Sequence, residues 1–196
     1  MLSRIPNLFF AQCLPLYYDP KSETGHFIEE EELAGSVQSM ETFDFRLANE
    51  NDLDFIRRLS VRVFSKYGAY DETVLDWLLE AEVITVIIEA GAEPLGFAMV
   101  TLEREKWFEP RSAHLLAIGV LPKQQRKGIG TALLEHMEDI ARKYGVEEML
   151  LWTADDNQQA LSFFQNADFH VVGSEGHYYP RGQAALALLK KLGTKN

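Results

Sequence analysis

Seven residues, Gln125-Arg126-Lys127-Gly128-Ile129-Gly130-Thr131, have the types and spacing to do chemistry. Two glycines flank one apolar residue, two cations precede them, and an apolar pattern of helical period follows at once. The first N–H groups of a helix lack intrahelical partners, and the aligned peptide dipoles put partial positive charge at that end. Gly128 and Gly130 leave the backbone bare for a ligand. Arg126 and Lys127 add full positive charge, and the Thr131 hydroxyl adds a donor. Such a construction suits a phosphate or pyrophosphate. Taken alone, Gly-x-Gly at a strand–helix junction would serve as well to make a tight turn. The two commoner phosphate signatures do not fit. There is no Walker run, and the third glycine of a dinucleotide fingerprint would fall on Leu133.

The elements that must position these residues can be read from periodicity. Phe43 to Leu47 alternates apolar and polar residues, as a half-buried strand does. Asn51 is a candidate cap for a helix with apolar positions Leu53, Ile56, Leu59, Val63 and Tyr67, stopped by Gly68. Asp71 is a second candidate cap, ahead of Val74, Leu75, Leu78 and Leu79. Strands Val83 to Glu89 and Leu95 to Leu102 flank the turn "AGAEP", which predicts an antiparallel hairpin. A loop from Glu103 to Ser112 leads into Ala113 to Val120, then the glycine turn and its helix, then Glu148 to Thr153. Both of these strands are nearly continuous apolar runs, as parallel strands covered on two faces are. With the helix between them they make a βαβ unit. A short helix capped by Asn157, a strand Phe169 to Val172 and a terminal strand Ala184 to Leu192 complete a mixed α/β sheet.

Length and composition bound the rest. A chain of 196 residues, 46% hydrophobic and 25% charged, is one soluble globular domain with room for an appendage. Regular patterning starts near Met40, so the expected division is an N-terminal extension or arm, 1–40, and a catalytic-type domain, 41–196. Met40 as an alternative start is the other reading of that boundary. The net charge of −11 argues against nucleic acid and is compatible with a cationic partner. The single cysteine, Cys13, excludes an internal disulfide and a cysteine-built metal site, so no metal and a reducing cytoplasm are expected. No apolar run approaches the roughly 20 residues that cross a bilayer. The nearest, Ile5 to Tyr18, is broken by Pro6, Asn7, Gln12 and Pro15 and lacks a small-x-small cleavage site, so neither membrane association nor a signal peptide is expected.

Gln125-x-x-Gly128-x-Gly130, starting five residues past Val120, resembles the hallmark of the GCN5-related N-acetyltransferase (GNAT) superfamily. A second hallmark lies downstream as Asn157-x-x-Ala160 with Phe163-Phe164, ending in Phe169. The order of elements matches from about Phe43 to Leu192. The resemblance implies a mixed, mostly antiparallel sheet with a central parallel pair flanked by helices, and acetyl-CoA as co-substrate. It implies that backbone groups of Ile118 and Val120, around Gly119, bind the pantetheine arm as a strand would. The backbone from Arg126 through Lys127, Gly128, Ile129 and Gly130 to Thr131 would bind pyrophosphate. Gln125 opens that motif, and Asn157, Phe163 and Phe164 would line the far side. Pantetheine amides need backbone partners, and a strand edge supplies them.

Acetyl transfer to a primary amine needs a base, oxyanion donors and a departing thiolate. The Val120 N–H is the expected oxyanion donor. Relatives often carry a glutamate on one of the two parallel strands, where this chain has His114 and Trp152. By the period-2 rule His114 shares a face with Leu116, Ile118 and Val120, and an imidazole of ordinary pKa near 6.5 suits a base. A strand-end histidine held by structural hydrogen bonds is the other reading. The family's usual acid, a tyrosine, is Phe164 here, and the family glycine before Phe169 is Asp168. Gly176 to Leu192 resembles the tail of ribosomal-protein-type N-terminal acetyltransferases, which implies that Tyr178 and Tyr179 flank the acceptor amine. Both would serve equally as packing aromatics. Tyr67 and Tyr70 are candidates for the opposite wall. The expected function is acetyl transfer from acetyl-CoA to a peptide N-terminus or small amine in a ternary complex. The alternative, kept open by Phe164 and Trp152, is a non-catalytic acetyl-CoA-binding sensor or partner module. Oligomeric state, a homodimer included, is open.

Overall fold

The structure, a computed structural model, describes residues 43–68, 70–103 and 111–193, without the side chains of residues 70, 71, 103 and 111. The expectations for the N-terminal arm, for most of the loop after Glu103, and for the side chains of Tyr70 and Asp71 lie outside the described residues. Among the described residues seven strands form one sheet: β1 (Asp44–Leu47), β2 (Val83–Ala90), β3 (Glu93–Glu103), β4 (Arg111–Val120), β5 (Val146–Ala154), β6 (His170–Glu175) and β7 (Ala185–Lys191). Their order is β1-β2-β3-β4-β5-β7-β6. Only β4 and β5 run parallel; the other neighbours are antiparallel. The helices are α1 (Leu53–Phe64), α2 (Tyr70–Leu78), α3 (Ile129–Lys143) and α4 (Gln158–Asn166). This is the mixed, mostly antiparallel architecture that the motifs implied. No helix among the described residues is long and apolar enough to cross a membrane.

Strands β2 and β3 are apolar on both faces because each face has its own helices to cover it. Along β2, Val86 and Ile88 belong to one core and Ile87 to the other; along β3, Ala98 and Val100 alternate with Phe97 and Met99 in the same way. One core packs Leu133, Leu134 and Met137 of α3 with Leu161 and Phe164 of α4. The second packs Ile56 and Leu59 of α1 with Val74 of α2. Each such fully buried side chain contributes about 1.5–3 kcal/mol of transfer free energy.

Helix α1 starts differently from expectation. Asn49, not Asn51, is the cap: its side chain accepts the Asn51 N–H at 2.9 Å, while Asp52 accepts the Asn49 N–H at 2.8 Å. A 3-10 turn, Glu50–Asp52, intervenes before α1, so the first polar residue rather than the nearest one caps the chain's entry. Asp52 also accepts from both terminal guanidinium nitrogens of Arg46, at 2.7 and 2.8 Å, tying β1 to the helix start. The β2–β3 hairpin is tighter than the expected five-residue turn. Pairing runs to Ala90↔Glu93, leaving Gly91 at φ 59° to turn the chain. Strand β6 extends to Glu175, beyond the expected Val172.

One irregularity matters for function. Between β3 and β4 the register runs Met99↔Ala117 and then Val100↔Leu115, so Leu116 is an extra residue, a β-bulge. Pairing between β4 and β5 ends at Leu115↔Leu151. Beyond the bulge the two parallel strands part.

Candidate active site

The bulge reverses which way β4 faces. Ala113 and Leu115 pack into the α3 core, but Ala117 belongs to the α1 core. Ile118 and Val120 return to the α3 side, while Leu116 packs on the α1 side. His114 therefore shares a face with Leu116 but not with Ile118 and Val120. Strict alternation placed all four together, and the inserted residue is why it fails. His114 pairs in register with Leu150, and the next residue on that face of β5 is Trp152.

Past the bulge, the edge of β4 is exposed by hydrogen-bond parity. Leu121 N–H donates to the Leu95 carbonyl at 2.9 Å. In an antiparallel ladder the bonded pairs alternate, so Gly119 and Ala117 also turn toward β3. The N–H groups of Ile118 and Val120 turn the other way, toward the side β5 has left. Gln125 Nε2 donates to the Val120 carbonyl at 3.2 Å, and Gln159 of α4 donates to Gln125 Oε1 at 3.3 Å. The motif glutamine thus acts here as a spacer between the end of β4 and the start of α4. Its backbone neighbours, not its side chain, lie at the glycine turn.

At the turn itself, Arg126 has φ 63° and Gly128 has φ 83°. A Cβ on Gly128 would meet nothing within 4 Å, so its glycine is required by conformation rather than by space. Gly128 caps α3 without any side-chain hydrogen bond, and no acidic residue stands in the first turn. The first intrahelical bond of this turn is Ala132 N–H to the Gly128 carbonyl, at 2.9 Å. The N–H groups of Ile129, Gly130 and Thr131 precede it and face outward from the helix end. Arg126, Lys127 and Gly128 are exposed beside them. Gly130 lies under the Phe163 ring, 3.6 Å from where a Cβ would stand. Phe163 accordingly joins α4 to α3, and Phe164, tilted against it at 5.0 Å, faces the opening.

Between the parted strands lies a small cleft open to solvent. Leu116 and Ile118 line one wall, Trp152 and Thr153 the other, with Phe164 and Asn157 at the α4 side and Tyr67 and Tyr179 opposite. Asn157 caps α4 as expected, Oδ1 accepting the Ala160 N–H at 3.2 Å. Val120 lies beyond this lining, so of the two outward-turned N–H groups the Ile118 one borders the cleft. His114 does not line it. Trp152 stacks on Tyr178 at 5.5 Å, Tyr178 meets Tyr179 edge-on at 5.2 Å, and Tyr179 meets Tyr67 at 5.3 Å. Burial pushes the pKa of Tyr178 and Tyr179 upward, so both are neutral phenols near pH 7.

Three loops far apart in sequence hold these rings together. Lys66 pairs with Asp156 at 3.1 Å, and Gln183 donates to the Lys66 carbonyl at 3.4 Å. A Cβ on Gly68, at φ 95°, would fall 2.8 Å from the Pro180 ring, so the Tyr-Tyr-Pro segment seats directly on that glycine. Sequence reading missed Lys66, Thr153, Asp156 and Gln159, for which no short-range signal exists. Gly96 was legible and overlooked: a glycine inside a strand marks close backbone approach. Its Cβ would lie 2.6 Å from the Gly119 carbonyl oxygen, at the working end of β4.

Comparison with known proteins fits this geometry. The model of the acetyltransferase (GNAT) family matches residues 46–169. An N-alpha-acetyltransferase of Sulfurisphaera tokodaii is 28% identical over 154 residues, covering 75% of this chain and 90% of that protein. Among solved structures, the ribosomal-protein-S18-alanine N-acetyltransferase of Escherichia coli superposes with TM-score 0.65 at 21% identity, covering 79% of this chain and 97% of that one. Arabidopsis thaliana NAA60 in complex with acetyl-CoA gives 0.63 at 16% identity, covering 76% and 98%. At these identities the structural likeness is one of fold.

Proposed function

The chain belongs to the GNAT acetyltransferase family, and from that premise we propose that it transfers the acetyl group of acetyl-CoA directly to a primary amine, the α-amine of a peptide or a small amine. The observation that carries this reading is the end of β4–β5 pairing at Leu115↔Leu151. It leaves the outward-turned backbone of Ile118 and Val120 a few residues before the start of α3, which no side chain caps. A ligand with amides at one end and a diphosphate at the other fits that arrangement: the strand edge meets the amides and the helix start, with Arg126 and Lys127, meets the anion.

In this reading acetyl-CoA supplies an activated acyl group, and the chain's own residues do the rest. The Ile118 N–H, bordering the cleft, takes the oxyanion role in place of Val120. The acceptor enters from the side of Tyr67, Tyr178 and Tyr179, whose packed rings exclude water while the hydroxyls offer hydrogen bonds. His114 is the base; because it does not line the cleft, it takes the amine's proton through an intervening water on the α1 face of the sheet, the face it shares with Trp152. An α-amine, with pKa of about 7.7–8.0, loses its proton far more readily than a lysine at about 10.4. A single imidazole therefore suits a peptide N-terminus. The S. tokodaii relative, an N-alpha-acetyltransferase by name, supports the same choice. The protein's net charge of −11 favours a cationic acceptor.

The test is acetylation of a panel of peptides and small amines, read by thiol release and product mass. Transfer to peptide α-amines is the expected result. Tight coenzyme A binding with no transfer to any amine would instead favour a sensor, the role that Phe164 and Trp152 would permit. No binding at all would overturn both.

A further inference from the structure

Ser60, Thr85 and Thr153 are the buried aliphatic hydroxyls among the described residues, and none of them has a hydrogen-bond partner there. A hydroxyl taken out of water without a partner destabilises a fold. The oxygens of Ser60 and Thr85 are sealed inside the packed domain, and neither residue lines the cleft. Thr153 differs: only 6% exposed, it stands in the cleft wall.

Which side of the cleft Thr153 serves follows from the pairing of β5. Its register with β7 runs without a shift from Glu148↔Lys191 to Ala154↔Ala185, so its side chains alternate strictly between the two faces. Met149 and Leu151 pack into the α3 core, while Trp152 and Ala154 join the cluster of Tyr67 and Tyr179. Thr153 therefore faces the α3 side, two residues past the last pair of β4 with β5. Helix α3 starts on that side, its first residue Ile129 buried in the same core. The tyrosines, and with them the proposed acceptor entrance, lie on the other.

The neighbours on the α3 side define what this hydroxyl can do. Ile118, Ala160 and Phe164 bring apolar side chains to the cleft. Asn157 has its side-chain oxygen committed to the α4 cap, accepting the Ala160 N–H at 3.2 Å, and is left with an amide to donate. Thr153 is the lining side chain on this side with an uncommitted acceptor. An amide brings one carbonyl and one N–H, and Asn157 with Thr153 answers both. We infer that the Thr153 hydroxyl binds the pantetheine arm of acetyl-CoA by accepting an amide N–H of that arm. The inference rests on the acetyl-CoA reading above. An aliphatic hydroxyl keeps its proton near neutrality, so Thr153 is a binding group and takes no part in proton transfer.

Thr153→Val keeps the shape of the side chain and removes the hydroxyl, while Thr153→Ser keeps the hydroxyl. Calorimetry with coenzyme A, with pantetheine and with ADP, which has the diphosphate without the arm, reads the contact. The expected result is that Thr153→Val weakens coenzyme A and pantetheine about 3- to 10-fold each and leaves ADP unchanged, with Thr153→Ser close to wild type. The Tm of Thr153→Val without ligand should equal or exceed that of wild type, because the hydroxyl it lacks is one that no protein group satisfies. In turnover, KM for acetyl-CoA should rise by the same factor with kcat unchanged. Equal weakening of all three ligands, or of none, would overturn the inference. So would a fall in kcat alone, or a fall in Tm of more than about 2 °C, the mark of a structural partner for the hydroxyl. A wild type that failed to bind coenzyme A would overturn the acetyl-CoA reading and this inference with it.

Discussion

Asp168 stands at φ 66°, in the left-handed region, at the position where the resemblance led one to expect glycine. The backbone keeps the conformation and the residue bears the strain, which aspartate tolerates better than most. Asp168→Gly should therefore stabilise the fold by about 1 kcal/mol, read as a rise of about 2–4 °C in Tm; no change would mean that the side chain compensates. His114 poses the opposite problem, since its identity was legible and its facing was not. Period-2 reasoning is sound for a regular strand, but one extra residue at Leu116 turned Ile118 and Val120 away from it. In the pH–rate profile of kcat/KM, His114→Ala should abolish the acidic limb and lower the plateau about 100-fold. An unchanged profile removes His114 from the mechanism.

Elements whose signals are local were readable from sequence: the Asn157 cap, the β4–α3–β5 crossover, the glycine turn. What depends on a neighbouring strand was not, and the bulge is the chief case, because it exists only as a mismatch between β3 and β4. Gly96 stands three residues before that mismatch, against the far end of β4. With a Cβ placed 2.6 Å from the Gly119 carbonyl, Gly96→Ala must push β4 aside. A cost of about 1–3 kcal/mol is expected, together with weaker coenzyme A binding. Loss of stability without loss of affinity would separate the β4 edge from the ligand. At the other end of the sheet, Arg46 holds the Asp52 carboxyl below the usual carboxylate range, chiefly by direct hydrogen bonding. A lowered carboxylate pKa stabilises the fold above the unfolded value of about 3.9 and loses that effect as pH falls through the folded value. Asp52→Asn should cost about 1–2 kcal/mol at neutral pH, the gap to wild type narrowing below about pH 4. A constant gap in chemical denaturation across that range would show that the ion pair contributes nothing.

The cleft wall of Tyr67 and Tyr179 is a property of the whole domain. Tyr67, Asp156 and Tyr179 come from three loops, joined by the Lys66–Asp156 pair and by Pro180 on Gly68. No window of sequence contains more than one of them. Tyr67 looked like the last apolar position of a helix, and only the packed domain shows its ring against Tyr179 at the cleft. The proposed anion site, by contrast, is seven consecutive residues, and that is why the ligand was easier to infer than the catalytic groups. The account as a whole depends on this site and the β4 edge acting on one ligand. Isothermal titration of wild type and Gly128→Val with coenzyme A and with pantetheine, at low and high salt, tests that directly. Wild type should bind coenzyme A at least about 10-fold more tightly than pantetheine, the excess shrinking with salt and disappearing in Gly128→Val. Equal affinity for the two ligands in wild type, or an excess indifferent to both salt and Gly128→Val, would contradict it.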